Sequence, residues 1–287
     1  MFCILCPKGA KCVVYLLITP MKNNAKKFGD TGKSSYLCNK KDIMKKIVLF
    51  ALAIAMSMSA FAQEDGEQSA CKVETTLLAD VVSNFIWRGQ EQGSAALQPT
   101  LGIAYKGLSL SAWGSCGLAS ADDVKEIDLT LAYTIGGLNI GITDYWTNSV
   151  YADPENRYLK YDAHSTNHTF EANVGYDFGV ASLQWYTNFA GYDGVNKDCK
   201  RAYSSYFEAT VPFKFAAVDW TATAGFVPYA TSYYNDWTSG FAVTNLSLMA
   251  TKELKITDSF SVPVFAQFVA NPCTQHAFMV LGLTLKP

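Results

Sequence analysis

The sequence predicts an all-β fold, a closed up-and-down barrel of twelve antiparallel strands, and three observations predict it. Apolar and polar residues alternate with period two through most of the chain from residue 72 onward, the mark of strands with a different environment on each face. Twelve such stretches occur, and single-chain bacterial membrane barrels have an even number of strands. The connections between them alternate long and short, as in a barrel with tight turns at one end and loops at the other.

The segments before the strands read differently. Met44, Lys45 and Lys46 are followed by the apolar run IVLFALAIAMSMS and by Ala60-Phe61-Ala62. A positive start, a short apolar run and an A-x-A step make a secretory signal peptide over 44–62, cleaved after Ala62. Residues 1–43 then read as a mis-called upstream extension. Two motifs there carry no chemistry. Cys3, Cys6, Cys12 and Cys38 lack a second C-x-x-C pair. Gly32-Lys33-Ser34 ends like a phosphate-binding loop, but Lys27 stands where its first glycine belongs.

The remaining 225 residues, Gln63–Pro287, have a net charge of −10. An acidic chain without a basic patch is not expected to bind nucleic acid. Residues 63–71 read as a flexible lead-in, and 72–287 as a single barrel domain. No later apolar run is long enough for a transmembrane helix. Cys71, Cys116, Cys199 and Cys273 allow three disulfide pairings, among which spacing does not choose.

The first strand is read over 72–88, ending Phe85-Ile86-Trp87-Arg88. The others are expected near 97–105, 108–117, 125–135, 138–147, 168–178, 180–189, 203–215, 218–228, 240–252, 259–269 and 276–286. Ile127, Leu129, Leu131, Tyr133 and Ile135 oppose Glu126, Asp128, Thr130, Ala132 and Thr134, and most strands repeat this division. Tight turns fall at Lys106-Gly107, Gly136-Gly137, Phe178-Gly179, Ala216-Ala217 and 253–258. Long loops fall at 89–96, 118–124, 148–167, 190–202, 229–239 and 270–275. Strands of about ten residues, tilted about 45°, cover the apolar band of an outer membrane. A closed sheet also leaves no unpaired edge in lipid. The apolar rows therefore face lipid, making this a transmembrane barrel. Phe85, Trp87, Tyr105, Trp146, Tyr176, Phe178, Trp185, Phe189, Tyr203, Phe215 and Trp220 fall near strand ends and read as interfacial girdles. Pro263, in mid-strand, predicts a bulge or a shifted strand. Asp144 falls in the lipid-facing register and is expected at the rim.

Phe85-Ile86-Trp87-Arg88-Gly89, then Leu97-Gln98-Pro99, Gly107-Leu108-Ser109-Leu110-Ser111-Ala112-Trp113-Gly114-Ser115 and Gly137-Leu138-Asn139-Ile140-Gly141-Ile142, resemble the TorF-like porins of Gram-negative bacteria. The resemblance implies an outer-membrane β-barrel and a pore, and no particular solute. The chain departs from the usual pattern of such barrels in ending Leu285-Lys286-Pro287, without an aromatic residue.

Alternation points the strand charges into the lumen, where they set selectivity. The lumen-lining candidates are Glu74, Asp80, Arg88, Lys106, Glu126, Asp128, Glu171, Asp177, Glu208 and Lys214, with Lys72 and Asp219 in the same register. Acids outnumber bases, which predicts a mild cation preference. Arg88 stands out, and is expected to form a salt bridge tying the first strand to its neighbours. His164, Ser165 and His168 would be the parts for nucleophilic chemistry, and no G-x-S-x-G or H-E-x-x-H occurs. No enzyme activity, cofactor or metal is expected. The expected function is a porin-like passive channel for small polar solutes, with outer-membrane lipid as the surrounding partner. Two alternatives stay open: a plugged structural or surface barrel, and a soluble exported barrel with a ligand inside.

Overall fold

The structure, a computed structural model, describes residues 73–119, 123–148, 156–162, 165–235, 240–258 and 260–286. The upstream extension, the signal peptide, the lead-in, Cys71, Lys72 and His164 lie outside the described residues.

Among the described residues fourteen strands form in order: β1 (Glu74–Val82), β2 (Phe85–Trp87), β3 (Gln90–Gly93), β4 (Ala96–Tyr105), β5 (Leu108–Gly117), β6 (Lys125–Ile135) and β7 (Leu138–Asn148), then β8 (Thr169–Asp177), β9 (Ser182–Gly191), β10 (Ser205–Phe215), β11 (Val218–Val227), β12 (Ala242–Lys255), β13 (Ser261–Asn271) and β14 (His276–Leu285). Twelve of them close an antiparallel barrel in which each pairs with its chain neighbour, β1 meeting both β4 and β14. This is the up-and-down barrel that the alternation predicts.

β2 and β3 are the exception. They pair only with each other. The first strand therefore does not run from 72 to 88. It leaves the barrel sheet after Val82, turns at Ser83-Asn84, and returns as a hairpin whose two-residue tip is Arg88-Gly89. Both tip residues have positive φ, 50° and 80°, the backbone of a type I′ turn, whose twist matches that of the flanking strands. A Cβ on Gly89 would sit 1.9 Å from the Thr244 carbonyl oxygen. Only glycine lets the tip dock against β12.

The tight turns gather at one end of the barrel, the turn end, and the longer connections at the other, the loop end. Lys106-Gly107 is a second I′ tip, with φ of 50° and 84°. Ala216-Ala217 takes the same shape without glycine, φ 52° and 59°, which costs each alanine about 1–2 kcal/mol.

The exterior is apolar. Leu101, Ile103, Leu110, Leu129, Leu131, Ile140, Ile142, Val174, Leu183, Val211, Leu248, Phe268, Met279 and Leu281 are all exposed on it. The interior rows are mostly threonine, serine, asparagine and small residues. This reverses a soluble barrel, where the apolar rows would face in. Tyr105, Tyr176, Phe178, Phe215, Phe189 and Tyr203 are exposed near the two ends. Phe85, Trp87 and Trp146 are not in that ring: Phe85 and Trp146 are buried, and Trp87 packs inside the barrel.

β13 begins two residues later than expected, at Ser261. Pro263 faces Glu253 of β12 in continuous register, and pairing with β14 starts only at Val264, so its missing N–H opens no gap in that ladder. The barrel strands are bulged elsewhere, between Phe170 and Glu171 and between Gly225 and Phe226, close to the loop end. Bulges bend strands and re-aim side chains, and here both flank the most buried region. Tyr206, Val227, Tyr234 and Ala242 pack there with Trp87, Tyr186, Tyr233 and Cys273. The core of the molecule is thus inside the barrel, at its loop end.

Candidate functional site

Hairpin β2–β3 carries Arg88 into the lumen. Its Nη1 donates to Glu171 Oε2 at 2.6 Å and its Nη2 to Oε1 at 2.9 Å, a bidentate pair. Nη1 also donates to the Tyr234 hydroxyl at 2.5 Å. The Tyr145 hydroxyl donates to Glu171 Oε1 at 2.9 Å. The guanidinium carbon lies 4.1 Å from the ring centre of Tyr186, 4.4 Å from that of Trp87 and 4.7 Å from that of Tyr206. A planar, weakly hydrated cation suits such aromatic faces better than an ammonium would. The side chains of Arg88 and Glu171 are 7% and 2% exposed, so each is compensated almost wholly by protein groups. Arg88 therefore ties the hairpin to β8, not the first barrel strand to its neighbours.

The aromatic ring closes around this pair. Trp87 stacks on Tyr234 with ring centres 5.9 Å apart, and Tyr234 on Tyr206 at 5.8 Å. The Tyr206 hydroxyl donates to Glu208 Oε2 at 2.7 Å and accepts from Asn245 Nδ2 at 3.1 Å. Gln90 Nε2 donates to the carbonyls of Tyr233 and Tyr234, fastening this loop segment to the hairpin. Burial pushes the phenols of Tyr233 and Tyr234 upward, so both remain neutral hydroxyls.

The charges singled out in the sequence fall at two heights. Asp80, Arg88, Glu126, Asp128, Glu171 and Glu208 lie within the barrel. Asp80 accepts from Thr284 Oγ1 at 2.6 Å. Glu126 and Asp128 project from one face of β6, and Asp128 Oδ1 is buried without a hydrogen-bond partner. Glu74, Lys106, Asp177 and Lys214 lie instead at the turn end, exposed. Lys214 pairs with Asp219 at 3.0 Å in the open, Asp177 accepts from Gly179 N–H, and Lys106 lies over the Tyr105 ring. Since Arg88 and Glu171 cancel, Asp80, Glu208 and the mutually hydrogen-bonded carboxyl pair Glu126–Asp128 make the lumen acidic.

Sequence reasoning missed Tyr145, Tyr186, Tyr206, Tyr233 and Tyr234. The first three were legible as bulky aromatics in lumen-facing registers, where small polar residues otherwise sit. Tyr233 and Tyr234 come from a loop and gave no periodic signal.

A second cluster lies on the outer surface near the loop end. Asp144, in the outward-facing register of β7, accepts from the Tyr161 hydroxyl and lies 2.7 Å from His168 Nδ1. His168 Nε2 lies 2.7 Å from the Tyr158 carbonyl oxygen. Trp146 donates to Asn156 Oδ1 at 2.8 Å, and Asn156 returns to the Thr147 carbonyl. Residues 156–162 and 165–168 therefore fold down over the barrel exterior. Both ring nitrogens of His168 face acceptors, so no serine hydroxyl occupies the position a nucleophile would need.

The sequence matches no protein-family model and no curated protein. The geometry of the barrel and its plug carries the functional reading.

Proposed function

We propose that the chain is a β-barrel of a Gram-negative outer membrane that admits small polar solutes through a constricted lumen, exported by the signal peptide over 44–62. The observation that carries this reading is the inverted polarity of the barrel. Its apolar exterior runs around all twelve strands and is far larger than a soluble monomer exposes. Lipid is the solvent that makes such a surface favourable. The tight turns then face the periplasm and the loops the cell exterior.

The aromatic ring around Arg88 favours a narrow, gated passage over a wide water-filled pore. The same ring favours a second reading, a plugged barrel with a structural or surface role. Single-channel recordings in planar bilayers separate the two. The transport reading expects small or intermittent conductance from the intact protein. It expects a larger, steady conductance when residues 85–93 are replaced by a short Gly-Ser linker. Silence from both proteins overturns transport. Recovery of the protein in the soluble fraction of lysed cells overturns the membrane reading.

A further inference from the structure

The hairpin divides the loop-end mouth into two cavities. One lies toward β13 and β14 and is lined by Glu91, Asn271 and Phe278. The other lies toward β6 and β7, has a volume of about 270 Å³, and is lined by Trp87, Tyr145, Tyr233, Gln90, Gln92 and Glu126, among others. Its chemistry is uneven. Four aromatic rings and three amides surround a single carboxylate.

Among the described residues no base pairs with that carboxylate, which shares a hydrogen bond with the carboxyl of Asp128. The Arg88 guanidinium is engaged by the two oxygens of Glu171 and by Tyr234. Asp128 follows Glu126 on the same face of β6, opposite Tyr145, and its Oδ1 is buried with no partner. Glu126 on the cavity wall and Asp128 behind it thus form a hydrogen-bonded carboxyl pair, with Asp128 Oδ1 left unpartnered, beside aromatic rings. The protein already places one cation in such surroundings, the Arg88 guanidinium among Trp87, Tyr186 and Tyr206. An aromatic enclosure with an anionic floor is the arrangement that binds organic cations.

We propose that this cavity is a binding site for a small organic cation, a guanidinium or alkylammonium compound. Its charge sits against Glu126 and reaches toward Asp128, and its carbon body lies against Trp87, Tyr145 and Tyr233. Gln90 and Gln92 supply hydrogen bonds at the mouth. A neutral sugar would use the rings and amides but leave the Glu126–Asp128 carboxyl pair without a cation, and an anion would be repelled. The proposal names the solute class for the constricted lumen and rests on the lumen being accessible from the loop end.

Calorimetric titration of the detergent-solubilised full-length protein tests it, with agmatine and choline as cationic probes and glucose as the neutral one. Saturable binding of a cationic probe is expected, with glucose at least about tenfold weaker. Glu126→Gln and Asp128→Asn should each weaken the cation about tenfold or more. Glu91→Gln, in the neighbouring cavity, should not. The variants are compared with the parent by the electrophoretic shift on heating that reports a closed barrel, so loss of fold is not mistaken for loss of the site. Equal affinity for glucose, no saturable cation binding, or unchanged affinity in Glu126→Gln overturns the site. A barrel that conducts without binding either cation ends this inference alone. One that binds agmatine but never conducts ends the transport reading alone.

Discussion

Arg88 and Glu171 meet inside the barrel through two hydrogen bonds of 2.6 and 2.9 Å, although 83 residues separate them in the chain. One sits on the tip of a hairpin that has left the barrel wall and the other on the wall itself. Their pairing narrows the cylinder at its loop end.

Breaking that pair should be costly. Glu171→Ala leaves a guanidinium buried among aromatic rings without its carboxylate, and removing one partner of a buried ion pair costs about 3–5 kcal/mol. The double variant Arg88→Met with Glu171→Leu should recover most of this, since burying neither charge avoids desolvation. Urea unfolding in a defined lipid or detergent measures both. A Glu171→Ala barrel as stable as the parent contradicts the assignment.

Two glycines at positive φ should respond differently to alanine. At Gly89 the new Cβ meets a backbone oxygen at 1.9 Å, whereas at Gly136, φ 57°, nothing lies within 4 Å. Gly136→Ala should cost only the left-handed conformation, about 1–2 kcal/mol. Gly89→Ala must also displace the hairpin from Thr244. It should therefore cost more in unfolding and raise conductance, while Gly136→Ala leaves conductance unchanged.

The opposite change should help at the Ala216-Ala217 turn. Ala217→Gly relieves a φ of 59° and should stabilise the barrel by about 1 kcal/mol. Thermal unfolding followed by circular dichroism reads the gain, and a loss of stability would show that the turn is held by something other than its backbone shape.

The cluster on the barrel exterior makes a local prediction. His168→Ala removes the links to Asp144 and to the Tyr158 carbonyl. Loop 156–168 should then loosen, and trypsin should cut after Arg157 and Lys160 several-fold faster. Barrel unfolding should change little, because the strands beneath stay paired. Unchanged proteolysis would show that the loop is held elsewhere.

Lumen charge makes the last prediction. With Arg88 and Glu171 cancelling, Asp80, Glu208 and the hydrogen-bonded Glu126–Asp128 pair should make any conductance cation-selective. Reversal potentials in a salt gradient should favour cations, and neutralising Glu126 and Asp128 together should reduce the preference. An anion-favouring potential in the parent protein would contradict the charge assignment.

The sequence by itself determined the barrel. Period-two alternation tells each strand which side is polar, and it is written in residues two apart, such as Ile127, Leu129 and Leu131. The order of long and short connections then leaves one way to close the sheet. It did not reveal that Phe85 and Trp87 leave the wall, because they continue the alternation of Val81 and Ser83 without a break in pattern. The hint was Arg88-Gly89, which matches the tip at Lys106-Gly107 but was read as a strand end. Only the tertiary structure decided that the hairpin turns inward and that Arg88 finds Glu171. It also decided that Tyr233 and Tyr234 close over the pair and that His168 sits under a loop against Asp144. Those partners lie far apart in the chain, and their contacts depend on closure of the cylinder. Local periodicity fixes which face a side chain takes, whereas the fold fixes what that side chain meets there.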